Sequence, residues 1–204
     1  MTTFKRTTYV GERPVCTNQP IMVTGGFTMD TQDIGFTPGD VIPAGTLAEY
    51  NEITRKVKVL KTGKVKSISD DKTVITLETN PYFRPLFAVG ELVCDGRDNY
   101  TITKIEACND IFNITLDKEC PDLQSGDMIV GQDDINKRYI NCKPTALVIT
   151  DTIVCDPIDQ TGIDISTDSG AGAWYLRRIP PIPGDLIDNN LLKNNPHIKF
   201  TKSA

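Results

Sequence analysis

Four times this chain writes glycine, an acid and two aliphatic residues: Gly39-Asp40-Val41-Ile42, Gly90-Glu91-Leu92-Val93, Gly126-Asp127-Met128-Ile129 and Gly184-Asp185-Leu186-Ile187. In the first three, glycine accepts a positive φ, the carboxylate can take a nearby backbone N–H, and the aliphatic pair can open a strand. Punctuation of this kind belongs to a mainly β protein built from short, similar units. Around two of the boxes the likeness lengthens: Ile68 to Val93 parallels Ile105 to Val130. Each stretch reads as strand, polar turn, a strand with Thr-Leu-acid (Thr76-Leu77-Glu78, Thr115-Leu116-Asp117), a loop with proline, then the box. These are two copies of one β unit.

With 204 residues, 39% of them hydrophobic, the chain can bury one large core or two small ones. The opening MTTFKRTTYV has no apolar stretch of a signal peptide, and no run of about 18 apolar residues suits a membrane span. A net charge of −5 disfavours nucleic acid, because no basic stripe is present to neutralise phosphates. Six scattered cysteines, Cys16, Cys94, Cys108, Cys120, Cys142 and Cys155, form no Cys-x-x-Cys, and the one histidine is His197. A zinc site is therefore not expected, nor any other metal or cofactor, and the cysteines read as small buried hydrophobes in a reducing cytoplasm.

Residues 1–36 are rich in Thr, Pro and Gly without a sustained period, and read as an extended N-terminal arm that orders against something else. Strand signals begin at Val41, continue through the alternating Arg55 to Leu60, and resume at Ala146 to Ile149, Ile163 to Ile165 and Trp174 to Leu176. Pro180, Pro181 and Pro183 interrupt the ladder, Asp185 to Asn194 suits a short helix, and Ile198 to Phe200 a closing strand. The expected layout is nested. An outer β domain (37–64 and 140–204) receives an inserted duplicated domain (65–139), a small barrel or sandwich; one continuous barrel is the alternative.

The sharpest catalytic candidate is Asp168-Ser169-Gly170-Ala171, the signature of a dimeric aspartic protease, in which two carboxylates share a proton. Ser166-Thr167 precede it where apolar strand residues would bury the acid, and a polar turn is the simpler reading. Asp95 to Asn99 reads as a hairpin turn rather than a calcium loop, and Gly25-Gly26 as a bend rather than a phosphate loop. Trp174, Tyr175, Arg177 and Arg178 have the composition of a subunit interface, with a buried Trp174 as the competing reading. Tyr82, Phe83, Phe87 and Tyr100 would be the exposed aromatics if the insert were a carbohydrate- or cell-surface-binding module.

Gly26-Phe27-Thr28, Pro38 to Thr46, Thr54 to Val59 and Lys143 to Val148, in that order, resemble head decoration and head-fibre proteins of tailed bacteriophages, including the lambda type. Arg177 to Pro183 and Pro196 to Phe200 are similar to the ending of head-fibre proteins. The resemblance covers the outer domain; the duplicated unit departs from the shorter lambda type. It implies a non-enzymatic homotrimer on the capsid surface, assembled in the host cytoplasm, whose partner is the major capsid protein. The arm would attach through Tyr9, Val10, Ile21, Met22 and Val23, and Trp174, Tyr175, Arg177 and Arg178 would lie between subunits.

Overall fold

The computed structural model describes residues 14–30, 35–108, 111–132, 144–184, 186–187 and 195–202. Seventeen strands follow in chain order: β1 (Ile21–Met22), β2 (Phe27–Met29), β3 (Val41–Ile42), β4 (Leu47–Asn51), β5 (Lys56–Val59), β6 (Thr62–Ile68), β7 (Val74–Leu77), β8 (Leu92–Cys94), β9 (Asn99–Cys108), β10 (Ile111–Leu116), β11 (Met128–Gln132), β12 (Ala146–Val148), β13 (Thr152–Ile153), β14 (Gly162–Ile163), β15 (Ile165–Asp168), β16 (Trp174–Tyr175) and β17 (Phe200–Thr201). The fold is mainly β, and it is nested: β6 to β11 close on themselves as a six-stranded barrel, while strands before and after them form a separate seven-stranded sheet.

The barrel repeats itself. Its strand order is β10-β7-β6-β11-β8-β9, all antiparallel. Exchanging β6, β7, β8 for β9, β10, β11 reproduces every pairing, so a pseudo-twofold axis passes between β7 and β10 and between β8 and β11. Even the irregularities match. One residue bulges out of β6 at Lys66, between Val65 and Ser67, and one out of β9 at the equivalent Thr103, between Ile102 and Lys104. Such bulges bend a strand and increase its twist, which a barrel of six short strands needs in order to close. Alternation sets the faces: β10 runs exposed-buried-half-buried from Ile111, with Phe112, Ile114 and Leu116 turned inward. They join Val65, Ile75, Leu77, Val93, Tyr100, Ile102 and Ile129 in a core of barrel residues alone.

The seven-stranded sheet has the order β1-β15-β12-β4-β5-β2-β14. Its strands β14 and β15 are joined by the single residue Asp164, yet lie at the far edge and next to the near one, so the sheet must curl round until its ends approach. Inside the curl sit Phe27, Met29, Phe36, Ile42, Ala48, Val57, Val59, Ala146, Val148, Ile163 and Ile165. The opposite face of β4 and β12 is covered as well, because Leu47 and Leu147 pack with Cys16, Leu60, Val130, Trp174, Ile179, Leu186 and Ile198. Burial on both faces explains why Ala146 to Val148 reads as a continuous apolar run instead of alternating.

One turn recurs four times. Thr37–Asp40, Ala88–Glu91 and Gln124–Asp127 each place glycine third, at φ 96°, 90° and 96°. The fourth residue's N–H returns to the first residue's carbonyl at 2.9, 3.3 and 3.1 Å, a type II geometry that requires the positive φ. The acid then accepts the first residue's N–H through Asp40 Oδ2 (2.7 Å), Glu91 Oε2 (2.8 Å) and Asp127 Oδ2 (2.8 Å). Each glycine N–H bonds a facing carbonyl, Gly90 to Ile102 and Gly126 to Val65, which again are equivalent positions. The fourth member, Pro43–Thr46, lacks the acid because Pro43 has no N–H to satisfy; Thr46 Oγ1 donates to the Pro43 carbonyl instead, at 2.7 Å. Gly184 shows no positive φ and does not join the series.

The expected arm of residues 1–36 is a correction. From Cys16 onward the described part of this segment belongs to the outer domain: Cys16 bridges Trp174, Ile21 and Met22 pair with Asp168 and Ser166, and β2 lies parallel to β5 and antiparallel to β14. Phe27, Met29 and Phe36 are buried. These short pieces lack periodicity because each borrows a partner from the chain's remote half. Tyr9 and Val10 lie outside the described residues, as does most of the expected helix at 185–194.

Candidate docking face and barrel joint

The barrel stands on the outer domain through the loop of its first copy. Leu86 packs against the core inside the curled sheet, Asn80 Nδ2 donates to the Arg177 carbonyl at 3.1 Å, and the Arg178 guanidinium lies 5.4 Å from the Tyr82 ring centre. Beside this loop the entering chain contributes Lys61, whose Nζ bonds Glu91 Oε1 at 2.5 Å. Both side chains are nearly buried, at 8% and 11% exposed. The Phe36 ring covers the ammonium, with its centre 4.0 Å from Nζ. Gly35, at φ +95°, closes the other side; a Cβ there would stand 1.7 Å from Glu91 Oε1. At the exit, the Gly131 N–H donates to the Lys61 carbonyl at 2.8 Å, so entry and exit strands meet at one residue.

Of the residues expected between subunits, Trp174 serves the chain's own interior. Trp174 is fully buried in the cluster shared with Leu60 and Val130, which corrects its assignment to a subunit interface. Among the described residues its indole N–H meets no acceptor. Tyr175 is half-buried, and Arg178 is held within the chain by the Pro14 carbonyl at 2.9 Å and by the Tyr175 ring at 4.5 Å. Arg177 is exposed. Of the expected attachment residues, Ile21 and Met22 are 58% and 49% exposed on the edge strand β1, and Val23 packs against the core within the curl.

Two other readings lose their residues. Phe83, Phe87 and Tyr100 are buried and Tyr82 is half-buried under Arg178, so the insert has no exposed platform made of these aromatics. Burial, with Asp95 beside it, pushes the Tyr100 hydroxyl far above its ordinary pKa. Asp168 spends its carboxylate on a turn, accepting the Gly170 N–H at 2.7 Å, and Ser169 is enclosed, its hydroxyl taking the Lys199 N–H at 2.9 Å. His197 is exposed, and its carbonyl receives the Ser169 N–H.

Among the described cysteines, Cys16, Cys94 and Cys120 are buried while Cys108 and Cys155 are exposed, which corrects the uniform expectation. Burial raises the Cys94 and Cys120 thiols above their ordinary range. No group of three or more His, Cys, Asp or Glu side chains suited to a metal ion occurs among the described residues.

Charge divides between the two bodies. Residues 62–132 hold 7 of the 22 bases and 12 of the 27 acids, so the barrel carries the whole net charge of −5 and the rest is balanced. A neutral base can approach a protein surface without net repulsion, whereas the barrel keeps other acidic surfaces away. Comparison with known proteins finds no matching family model, no matching curated protein and no matching solved structure.

The joint was not found from sequence. One signal for it exists: where the first copy has Leu86, the second has Asp122. Equivalent positions differ in this way when one is covered and the other meets water.

Proposed function

We propose that this protein is a non-enzymatic capsid decoration protein of a tailed phage, docking on the major capsid protein as a homotrimer and displaying its inserted barrel outward. One observation carries the reading: the outer domain keeps an open sheet edge that bears exposed apolar side chains, whereas the barrel is closed. A closed barrel has no free edge to which another strand can add. The curled sheet keeps β1 at its edge, where Ile21 and Met22 present apolar side chains to solvent. Strand addition at such an edge draws affinity from main-chain hydrogen bonds and specificity from alternate side chains, and many symmetric copies multiply a modest single contact.

The test is co-sedimentation with empty phage shells. An Ile21→Asp, Met22→Lys variant should lose most of its shell attachment with its thermal unfolding nearly unchanged, since both side chains already lie in water. Light scattering should give three times 22.5 kDa for the free or shell-released protein. Undiminished decoration by the variant removes β1 as the attachment edge; a strict monomer in solution and on shells removes the capsid reading itself.

A further inference from the structure

The Lys61–Glu91 pair occupies the one place where the two bodies, the entering chain and the exiting chain all meet. We infer that it is a latch that holds the barrel docked in an all-or-none manner, and that opening it frees the barrel while both bodies remain folded.

Each body is complete without the other. The barrel's core is made of barrel residues only, and the core inside the curled sheet takes a single side chain from the barrel, the half-buried Leu86. Besides the Asn80–Arg177 and Tyr82–Arg178 contacts at the loop, what they share is the cluster around Trp174, to which the barrel lends Val130, and the ion pair. An ion pair at this depth has two stable conditions. Closed, the ammonium has the carboxylate at 2.5 Å and the Phe36 ring at 4.0 Å; open, both charges are hydrated. A half-open joint leaves charges that have lost water without keeping a partner, so intermediate positions are disfavoured and the joint is bistable. Glu91 is fixed for this role by its own turn, since Oε2 takes the Ala88 N–H and leaves Oε1 aimed at Lys61. The equivalent Asp127 makes the same turn bond, and its loop is the free one.

The chain's one tryptophan reports on the joint, because Trp174 is buried beside Leu60 and Val130. Lys61→Met leaves the Glu91 charge unpaired; it should raise acrylamide quenching of Trp174 several-fold and enlarge the radius of gyration, with the far-ultraviolet β signal retained. Adding Glu91→Gln, which keeps an acceptor for the Ala88 N–H, removes the unpaired charge but not the loss of the latch, so quenching and radius should fall only part of the way back and stay above wild type. Three results overturn the latch: quenching in Lys61→Met equal to wild type, loss of the β signal together with the rise in quenching, or full recovery by the double variant, which would show that docking does not need the pair.

Discussion

The loop 78–91 of the first barrel copy and the loop 117–127 of the second, fourteen and eleven residues long, end in the same turn and have opposite surroundings. Pro85 and Pro121, Phe87 and Leu123, Gly90 and Gly126, Glu91 and Asp127 stand at equivalent places. Phe87 and Leu123 both fill the barrel core, and both acids staple the same turn. Divergence is sharpest in the side chains that leave the barrel. Leu86 enters the outer domain's core, while its counterpart Asp122 lies 63% exposed and 3.7 Å from Arg97. Duplication thus preserved what the closed barrel and its turns demand, and the environment at each end selected the rest.

The largest effects should come from the positions that the two copies share. Ile75 and Ile114 face each other across the pseudo-twofold axis, both fully buried. Truncating either to alanine removes transfer free energy and leaves a cavity, a loss of about 2 to 5 kcal/mol. The equivalence predicts nearly equal losses, measured as urea midpoints; a difference beyond about 1.5 kcal/mol would show that one copy carries the barrel.

Exchanging the divergent residues should give asymmetric results. Leu86→Asp places a carboxylate against an apolar core, which costs about 2 to 4 kcal/mol or undocks the barrel. Asp122→Leu alters an exposed site whose ion pair contributes little, so the change should stay within about 0.5 kcal/mol. Equal effects would mean that the first loop is not a dock. Below these in size come Gly90→Ala and Gly126→Ala, where the positive φ strains any L side chain by about 1 to 2 kcal/mol. No atom stands within 4 Å of a Cβ at either site, so the two penalties should agree, being set by backbone conformation alone.

The duplication was legible because both copies keep the same local signals, a turn glycine, an acid that binds the turn's first N–H, and alternating strands; each depends on neighbours within a few positions. Capture of residues 14–30 was not legible, since β1 and β2 are two and three residues long and rely on partners such as Asp168 and Ile163. Trp174 with its arginines was ambiguous because a core and a hot spot draw on the same residue types. Lys61–Glu91 was hidden for another reason: either residue alone reads as a solvated charge, and only the approach of Phe36 and Gly35 from a distant segment buries them. The outer edge at Ile21 and Met22 was visible as an apolar patch, but its role as the rim of a sheet was not.

The smallest expected effect concerns the hairpins at the copies' first turns. In the first copy the turn runs from Ser69 to Thr73, with Lys72 at φ 53°, and Asp71 Oδ1 accepts the Ser69 hydroxyl and, at 3.3 Å, the Thr73 N–H. The corresponding residues of the second copy, 109–110, lie outside the described residues. Hydrogen bonds to the charged form, that from Ser69 foremost, hold the Asp71 carboxyl below its ordinary 3.8. A folded pKa below the unfolded one means that the stabilisation is complete above the unfolded value and disappears as pH falls through the folded one. Asp71→Asn should therefore be slightly less stable than wild type at neutral pH, and the gap should narrow as pH drops below 3.8. Because the carboxylate is fully exposed, the gap will be small and will need paired urea titrations at pH 7 and pH 3 to resolve. A gap that persists unchanged at the lower pH would show that Asp71 acts through the shape of the turn, which asparagine also supports, and not through its charge.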